Sequence, residues 1–411
     1  MYRRNIESAL DAALKDTRVV LLNGARQTGK STLAQKIAEQ RDARYLTLDD
    51  ETVLAVARND PSALVRANPE MTVIDEVQRA PELFSAIKIE VDRNRTPGRF
   101  LLTGSANIFL LPRLSESLAG RMEILSLLPL SQDEIAGGRT AFVETLLSDA
   151  DWRVRKSAVD RLDICRRIIA GGFPEALARQ AGERRSAWFR SYLSSLIQRD
   201  VRDLSNIDGL TDLPRLLGLL AARSSALLNM SELSRSLGIA HSTLRRYLGL
   251  LEAIFIFQPL SAWSTNSGKR FVKSPKIHLV DTGLAAHLGG DIDPNALSQS
   301  SKIGPLLESF VVQELRKQLA WSKRAAAPFH FRSAAGREVD LVLEIPGGAV
   351  SGVEIKAAAK VGKADFAGLE ALAEEAGKKF IRGVLLYFGD HVLPIGDKLA
   401  AVPVTELWAV R

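Results

Sequence analysis

The octapeptide Gly24-Ala25-Arg26-Gln27-Thr28-Gly29-Lys30-Ser31 constrains this chain more than any other feature. It fits G-x-x-x-x-G-K-[ST] at every fixed position. The apolar run Val19-Val20-Leu21-Leu22 leads into it, and residues 32–38 continue with helical spacing, so the pattern predicts strand, loop and helix in succession. In that context the loop amides wrap an anionic phosphate. Lys30 sets its ammonium against the β- and γ-phosphates, and the Ser31 hydroxyl ligates Mg²⁺. The positive end of the following helix, with Thr32 in its first turn, points at the same phosphates. ATP and Mg²⁺ are the expected cofactors.

Hydrolysis needs a second strand. Met71-Thr72-Val73-Ile74-Asp75-Glu76 is an apolar run ending in two carboxylates, as required for a Mg²⁺-shell ligand (Asp75) and a group that polarises the attacking water (Glu76). A third run, Phe100-Leu101-Leu102-Thr103-Gly104-Ser105, places Ser105 either as a sensor of the γ-phosphate or as a plain strand-end residue. Arg121 and Arg199 are candidate charge-sensing or finger arginines, with a structural ion pair as the alternative for each.

The short β-like runs at 19–22, 45–48, 73–74 and 100–103 alternate with helical patterns, which predicts an α/β parallel sheet with crossover helices. A chain of 411 residues exceeds one ordinary core, and four segments are expected: a P-loop core over 1–130, a helical lid over 131–210, a winged-helix-like segment over 211–300 and an α/β domain over 301–411. Gly171-Gly172-Phe173-Pro174-Glu175 reads as a turn inside the lid. Around 229–251, Ser231 is the expected helix cap, Gly238 the turn, and Leu233, Leu237, Leu244 and Leu248 the packed faces of a helix-turn-helix. The runs 254–260 and 276–280 would flank a wing. Arg245 and Arg246 would then approach DNA, or stay solvated if the motif is only a connector.

Composition narrows the setting. A single cysteine, Cys165, excludes an intrachain disulfide and a Cys-built metal site. No apolar run reaches membrane-spanning length, so a cytoplasmic protein without a membrane partner is expected. The net charge of +7 permits nucleic-acid binding and equally serves solubility.

The sharpest clue lies near the C-terminus. Residues 337–345 and 350–356 alternate as strands around the turn Pro346-Gly347-Gly348. Folding that hairpin about Gly347 sets Asp340 opposite Glu354, and Lys356 shares a face with Glu354. In the helix predicted over 305–320, Glu308 falls on the stripe of Leu307, Val311, Val312, Leu315 and Leu319, whereas Glu314 points elsewhere. Oxygen ligands of this kind suit Mg²⁺ or Mn²⁺ between Asp340 and Glu354, with Lys356 orienting a water for phosphodiester cleavage. A cross-strand salt-bridge ladder is the alternative.

Taken together, the P-loop run, Val73-Ile74-Asp75-Glu76, Leu102-Thr103-Gly104-Ser105, Leu118-Ala119-Gly120-Arg121, Gly171-Gly172-Phe173-Pro174, Gln198-Arg199-Asp200, Asp281-Thr282-Gly283-Leu284, Glu308-Ser309-Phe310-Val311, Glu338-Val339-Asp340 and Val353-Glu354-Ile355-Lys356 span nearly the whole chain. In these runs the chain resembles a prokaryotic family of AAA-type ATP-binding proteins with a C-terminal domain of unknown function similar to PD-(D/E)xK nucleases. The resemblance implies an AAA-type core, helical lid, winged helix and restriction-endonuclease-like C-terminal fold. It also implies ATP and Mg²⁺ at the P-loop and Asp75-Glu76, and nuclease roles for Glu308, Asp340, Glu354 and Lys356. DNA rather than RNA is the expected partner, and a homo-oligomer is compatible with the family. A nucleotide-dependent switch that binds without cutting, and a transcription regulator acting through the helix-turn-helix, stay open.

Overall fold

A computed structural model describes residues 2–67, 70–106, 118–148, 152, 159–201, 210–270 and 273–409, with only the backbone of Arg199, Asp200, Leu210, Ser267 and Lys269. The expectation for Arg199 as a finger therefore falls on a side chain outside the described residues.

The first sheet is parallel and five-stranded: β1 (Val19–Asn23), β2 (Arg44–Thr47), β3 (Thr72–Asp75), β4 (Phe100–Gly104) and β5 (Met122–Ser126), in the order β2-β3-β4-β1-β5. Every residue of β1, β3 and β4 is buried, as continuous apolar runs covered on both faces require. The two-residue period divides them. Val20, Leu22, Val73 and Leu101 share a core with Leu10 and Leu14 of the Glu7–Asp16 helix and Leu33 and Ile37 of the Lys30–Gln40 helix. Val19, Leu21, Ile74 and Leu102 face Leu54, Phe84, Ile87 and Val91 on the opposite side. With β1 flanked by β4 and β5, the loop that follows it opens at the carboxyl ends of central strands, where open α/β sheets bind ligands.

Helices fill the middle of the chain. Those over Arg161–Ala170, Gly182–Ser195, Leu213–Ala222, Met230–Leu237, His241–Ala253 and Thr282–Gly289 contribute to one apolar cluster that also takes in Ile303–Leu319 and one face of the C-terminal sheet. The Met230–Leu237 and His241–Ala253 helices meet at Gly238, whose φ of +72° makes the turn. The cap differs from expectation: Asn229 accepts from the Glu232 N–H, while Ser231 lies one residue inside the helix. Nearby, Leu260 and Lys276 exchange two main-chain hydrogen bonds of 2.9 and 3.0 Å in antiparallel sense.

The second sheet is mixed and six-stranded: β6 (Ala327–Arg332), β7 (Glu338–Glu344), β8 (Val350–Lys356), β9 (Phe380–Tyr387), β10 (Leu393–Ile395) and β11 (Leu399–Pro403), in the order β10-β11-β9-β8-β7-β6. Gly347 and Gly348 turn the β7–β8 hairpin with φ of +98° and +82°, values an L side chain adopts at a cost. The Ala367–Ala376 helix lies close because β8 and β9 offer Gly352 and Gly383 beneath it. A Cβ at Gly352 would stand 2.7 Å from a Leu369 methyl.

Candidate functional site

Loop geometry at the end of β1 follows from three residues with positive φ, Gly24 (+147°), Gln27 (+67°) and Gly29 (+94°). Only glycine fits at 24, because a Cβ there would stand 2.2 Å from the Leu127 carbonyl oxygen. Lys30 Nζ donates to the carbonyls of Gly24 (3.0 Å) and Ala25 (2.9 Å), and Thr28 Oγ1 to that of Ala25 (2.9 Å), so the ammonium lies over the loop. The loop is braced from outside. Arg4 donates to the carbonyls of Thr28 and Leu128, each at 2.7 Å, and pairs with Glu134 at 3.1 Å. Tyr192 Oη donates to the Arg26 carbonyl at 3.3 Å. Beside the start of the Lys30–Gln40 helix lies a cavity of about 160 Å³ lined by Tyr2, Arg4, Gly29, Thr32, Leu33 and Pro174.

The carboxylates of β3 meet this loop. Asp75 Oδ1 accepts from Ser31 Oγ at 3.0 Å and from Thr103 Oγ1. Glu76 sits in the left-handed region (φ +58°), a strained position worth about 1–3 kcal/mol for a residue of this kind. Its Oε2 accepts from Gln78 Nε2 and, at 3.2 Å, from Ser105 Oγ, and Gln78 also donates to Ser105 at 2.9 Å. Ser105 thus touches the expected water-polarising carboxylate. Burial, then the charge of Asp75, raise the Tyr45 phenol above its usual value.

Arg121 departs from its expected place among the nucleotide contacts. It precedes β5, whose last residue Ser126 pairs with Asn23, so it lies at the end of the sheet opposite the loop. There it forms a partly exposed pair with Asp92 at 2.6 Å. Within one chain, sheet length keeps it from the phosphates.

At the C-terminus, β7 and β8 run antiparallel with Leu341 opposite Val353, and continuing that register by one residue sets Asp340 opposite Glu354. Asp340 Oδ2 accepts the Ile355 N–H at 3.0 Å. Glu354 Oε1 pairs with Lys356 at 2.9 Å, while its buried Oε2 has no hydrogen-bond partner among the described residues. Glu308 joins through Lys276, expected only as the first residue of a wing-flanking run. The Lys276 side chain is 5% exposed, and its Nζ stands 2.7 Å from Glu308 and 2.8 Å from Asp340. Burial and the Asp340 charge hold Glu308 well above the usual carboxylate range, and the same two causes push Glu354 up to about 7. Burial opposes the charge on Lys276, but Asp340 and Glu308 outweigh it and raise its pKa. Among the described residues no three His, Cys, Asp or Glu side chains form a ready metal cage. An ammonium links Glu308 to Asp340 instead.

Glu314, as expected, faces away from this cluster. It is nonetheless buried, accepting the Gln132 N–H at 2.8 Å and pairing with Lys317 at 2.7 Å.

Comparison with known proteins matches residues 16–136 to an AAA domain, 161–296 to a domain of unknown function (DUF8612) and 303–407 to another (DUF4143). The uncharacterized proteins Rv2008c of Mycobacterium tuberculosis and Mb2031c of Mycobacterium bovis are each 32% identical over 408 residues, covering 98% of this chain and 84% of theirs. The chain belongs to their AAA-type ATP-binding family. Among solved structures, the Walker-type ATPase PABY2304 of Pyrococcus abyssi aligns at a TM-score of 0.44 and 14% identity, over 70% of this chain and 96% of that one. The RuvB Holliday junction branch migration motor of Thermotoga maritima aligns at 0.30 and 18%, over 62% and 88%.

In this AAA-type protein, Arg4, Tyr45, Gln78 and Thr103 join the first site and Lys276 the second without having been singled out in the sequence. Lys276 carried one usable signal. It opens the alternating run Lys276-Ile277-His278-Leu279-Val280, where a charge at the head of an apolar run requires a counter-charge from elsewhere once buried. No helix among the described residues is long and apolar enough to cross a membrane.

Proposed function

We propose that this AAA-type ATPase couples nucleotide turnover to a metal-dependent nuclease site acting on DNA. Mg²⁺ would be held by Ser31 and Asp75, whose oxygens already meet at 3.0 Å, and would neutralise charge on the β- and γ-phosphates. Lys30 and the loop amides bind the phosphates, and the cavity beside Thr32 takes the nucleoside. Glu76 polarises the lytic water while Gln78 and Ser105 hold its carboxylate in place.

The observation that carries the second half is the β7–β8 register, which opposes Asp340 and Glu354 with Lys356 two residues on. Asp340 and Glu354 would hold the divalent cation, and the orphaned Glu354 Oε2 is an oxygen of the kind such an ion takes. Lys356 orients the nucleophilic water. Exposed Arg235, Arg245 and Arg246 on the two helices joined at Gly238 supply phosphate contacts for DNA.

Incubation with DNA, Mn²⁺ and ATP tests the reading. Cleavage should fall by at least about 100-fold in Lys356→Ala and Asp340→Ala, and cleavage unchanged in both variants overturns it. The position of Lys276 between Glu308 and Asp340 favours one rival, a nucleotide-dependent switch that binds DNA without cutting. Retarded but intact DNA, with retardation weakened in Arg245→Ala/Arg246→Ala, would establish that rival.

A further inference from the structure

The three carboxylates Glu308, Asp340 and Glu354 and the two ammonium groups Lys276 and Lys356 form one network, in which Lys276 bridges the first two and Lys356 pairs with the third. One oxygen, Glu354 Oε2, is buried and meets no hydrogen-bond partner among the described residues. A divalent cation in place of the Lys276 ammonium would give that oxygen a partner to ligate. Both cannot stand there at once, because the ammonium already lies 2.7 and 2.8 Å from the oxygens of Glu308 and Asp340.

Lys276 also belongs to a different part of the chain from the groups it bridges. Its main chain pairs with Leu260, outside the C-terminal sheet. Five residues on, Asp281 Oδ2 accepts the Gly172 N–H at 2.6 Å, and the Gly172 carbonyl accepts the Leu130 N–H at 2.7 Å. The segment from Lys276 to Asp281 is thus a strut from the exit of the nucleotide-binding sheet to the carboxylate cluster. A strut fixed at both ends transmits displacement of either.

We propose that Lys276 is a tethered cation that keeps the Glu308–Asp340–Glu354 pocket closed to divalent metal, and that metal enters only when Lys276 withdraws. This deepens the reading of the C-terminal site given above and rests on its assignment of Asp340 and Glu354 as cation ligands. It makes cation binding, not the carboxylates themselves, the regulated step.

The test is Mn²⁺ binding, read by electron paramagnetic resonance on full-length, nucleotide-free protein carrying Asp75→Asn to silence the P-loop position. Adding Lys276→Met should create one Mn²⁺ site at least about tenfold tighter than in the Asp75→Asn background, since the competent state no longer has to displace a lysine. A further Asp340→Asn should abolish it. Equal Mn²⁺ affinity with and without Lys276, or a new site that survives Asp340→Asn, overturns the proposal. Should Lys276→Met fail to fold, amine labelling of the unaltered protein decides: saturating Mn²⁺ should raise modification at Lys276 by at least about tenfold, and unchanged labelling overturns the idea. Mn²⁺ bound by Lys276→Met without DNA cleavage would leave the lock standing and sink only the nuclease reading.

Discussion

Glu314 Oε2 accepts the main-chain N–H of Gln132 at 2.8 Å, tying the helix that carries Glu308 to the first helix after the nucleotide-binding sheet. The tie continues inward. Ser131 and Glu134 cap that short helix reciprocally, and Glu134 pairs with Arg4, which holds the loop carbonyl of Thr28. Lys317, three residues beyond Glu314, donates to the Leu130 carbonyl at 3.0 Å. A hydrogen-bonded path therefore joins the phosphate-binding loop to the Ile303–Leu319 helix.

Removal of Glu314 should be costly. Glu314→Ala strands the Lys317 ammonium and the Gln132 N–H in the interior. Breaking a buried pair from one side costs about 3–5 kcal/mol. Urea unfolding of Glu314→Ala against the unaltered chain measures it, and a loss below about 1 kcal/mol would deny the junction its structural weight.

Nucleotide turnover should separate from nucleotide binding at Glu76. In Glu76→Gln, hydrolysis should fall by about 100- to 10,000-fold with ATP still bound, the range for loss of a general base. Lys30→Ala should lose both. Fluorescent-nucleotide binding beside phosphate release distinguishes them, and full turnover in Glu76→Gln would return the role to another group.

Gly172 has no room to change. A methyl group there would stand 2.2 Å from the Leu130 carbonyl oxygen, a main-chain atom that cannot swing aside. Gly172→Ala should lose at least about 3 kcal/mol, the upper end of overpacking costs, read as a lowered unfolding midpoint.

Acid should weaken the fold through His330. Burial pulls its imidazole down to about 4 from an ordinary 6.5, and Nε2 lies 3.1 Å from the Ser274 carbonyl. With the folded value below the unfolded one, the unfolded chain takes the proton first, so stability is complete above pH 6.5 and drains as pH falls toward 4. The loss is about 3 kcal/mol by the foot of that window. His330→Gln should flatten the stability–pH curve between 6.5 and 4, and an unflattened curve would assign the acid sensitivity elsewhere.

Arg121→Ala should leave single-chain ATP hydrolysis within about twofold, as expected for an exposed ion pair remote from the loop. Steady-state phosphate release under dilute conditions provides the check. A larger drop would give Arg121 a part in nucleotide chemistry that its place at the far end of β5 does not explain.

The nucleotide loop was legible because its geometry is local. Glycines at 24 and 29, Lys30 and Ser31 act within one strand-loop-helix turn, and Asp75 ends a strand whose apolar run is continuous. The β7–β8 register was equally legible, since Gly347 and Gly348 fix a turn and side chains alternate from it with period two. Ser105 could be placed only as far as its strand end; its contact with Glu76 depends on the left-handed turn at Glu76, which no propensity of glutamate favours. Arg121 was misplaced because a motif position says nothing about which end of a strand it occupies.

By itself, the sequence determined each unit held together by neighbouring residues: the loop that cradles phosphate, the parallel strands and the hairpin opposing Asp340 and Glu354. Tertiary structure alone decided what fills the space beside that hairpin. Lys276 precedes Asp340 by 64 residues, and no periodicity reaches that far. It stands there because the same packing that buries Ile277 and Leu279 beside the Ile303–Leu319 helix delivers a cation to two buried carboxylates, which must be neutralised once water has been excluded.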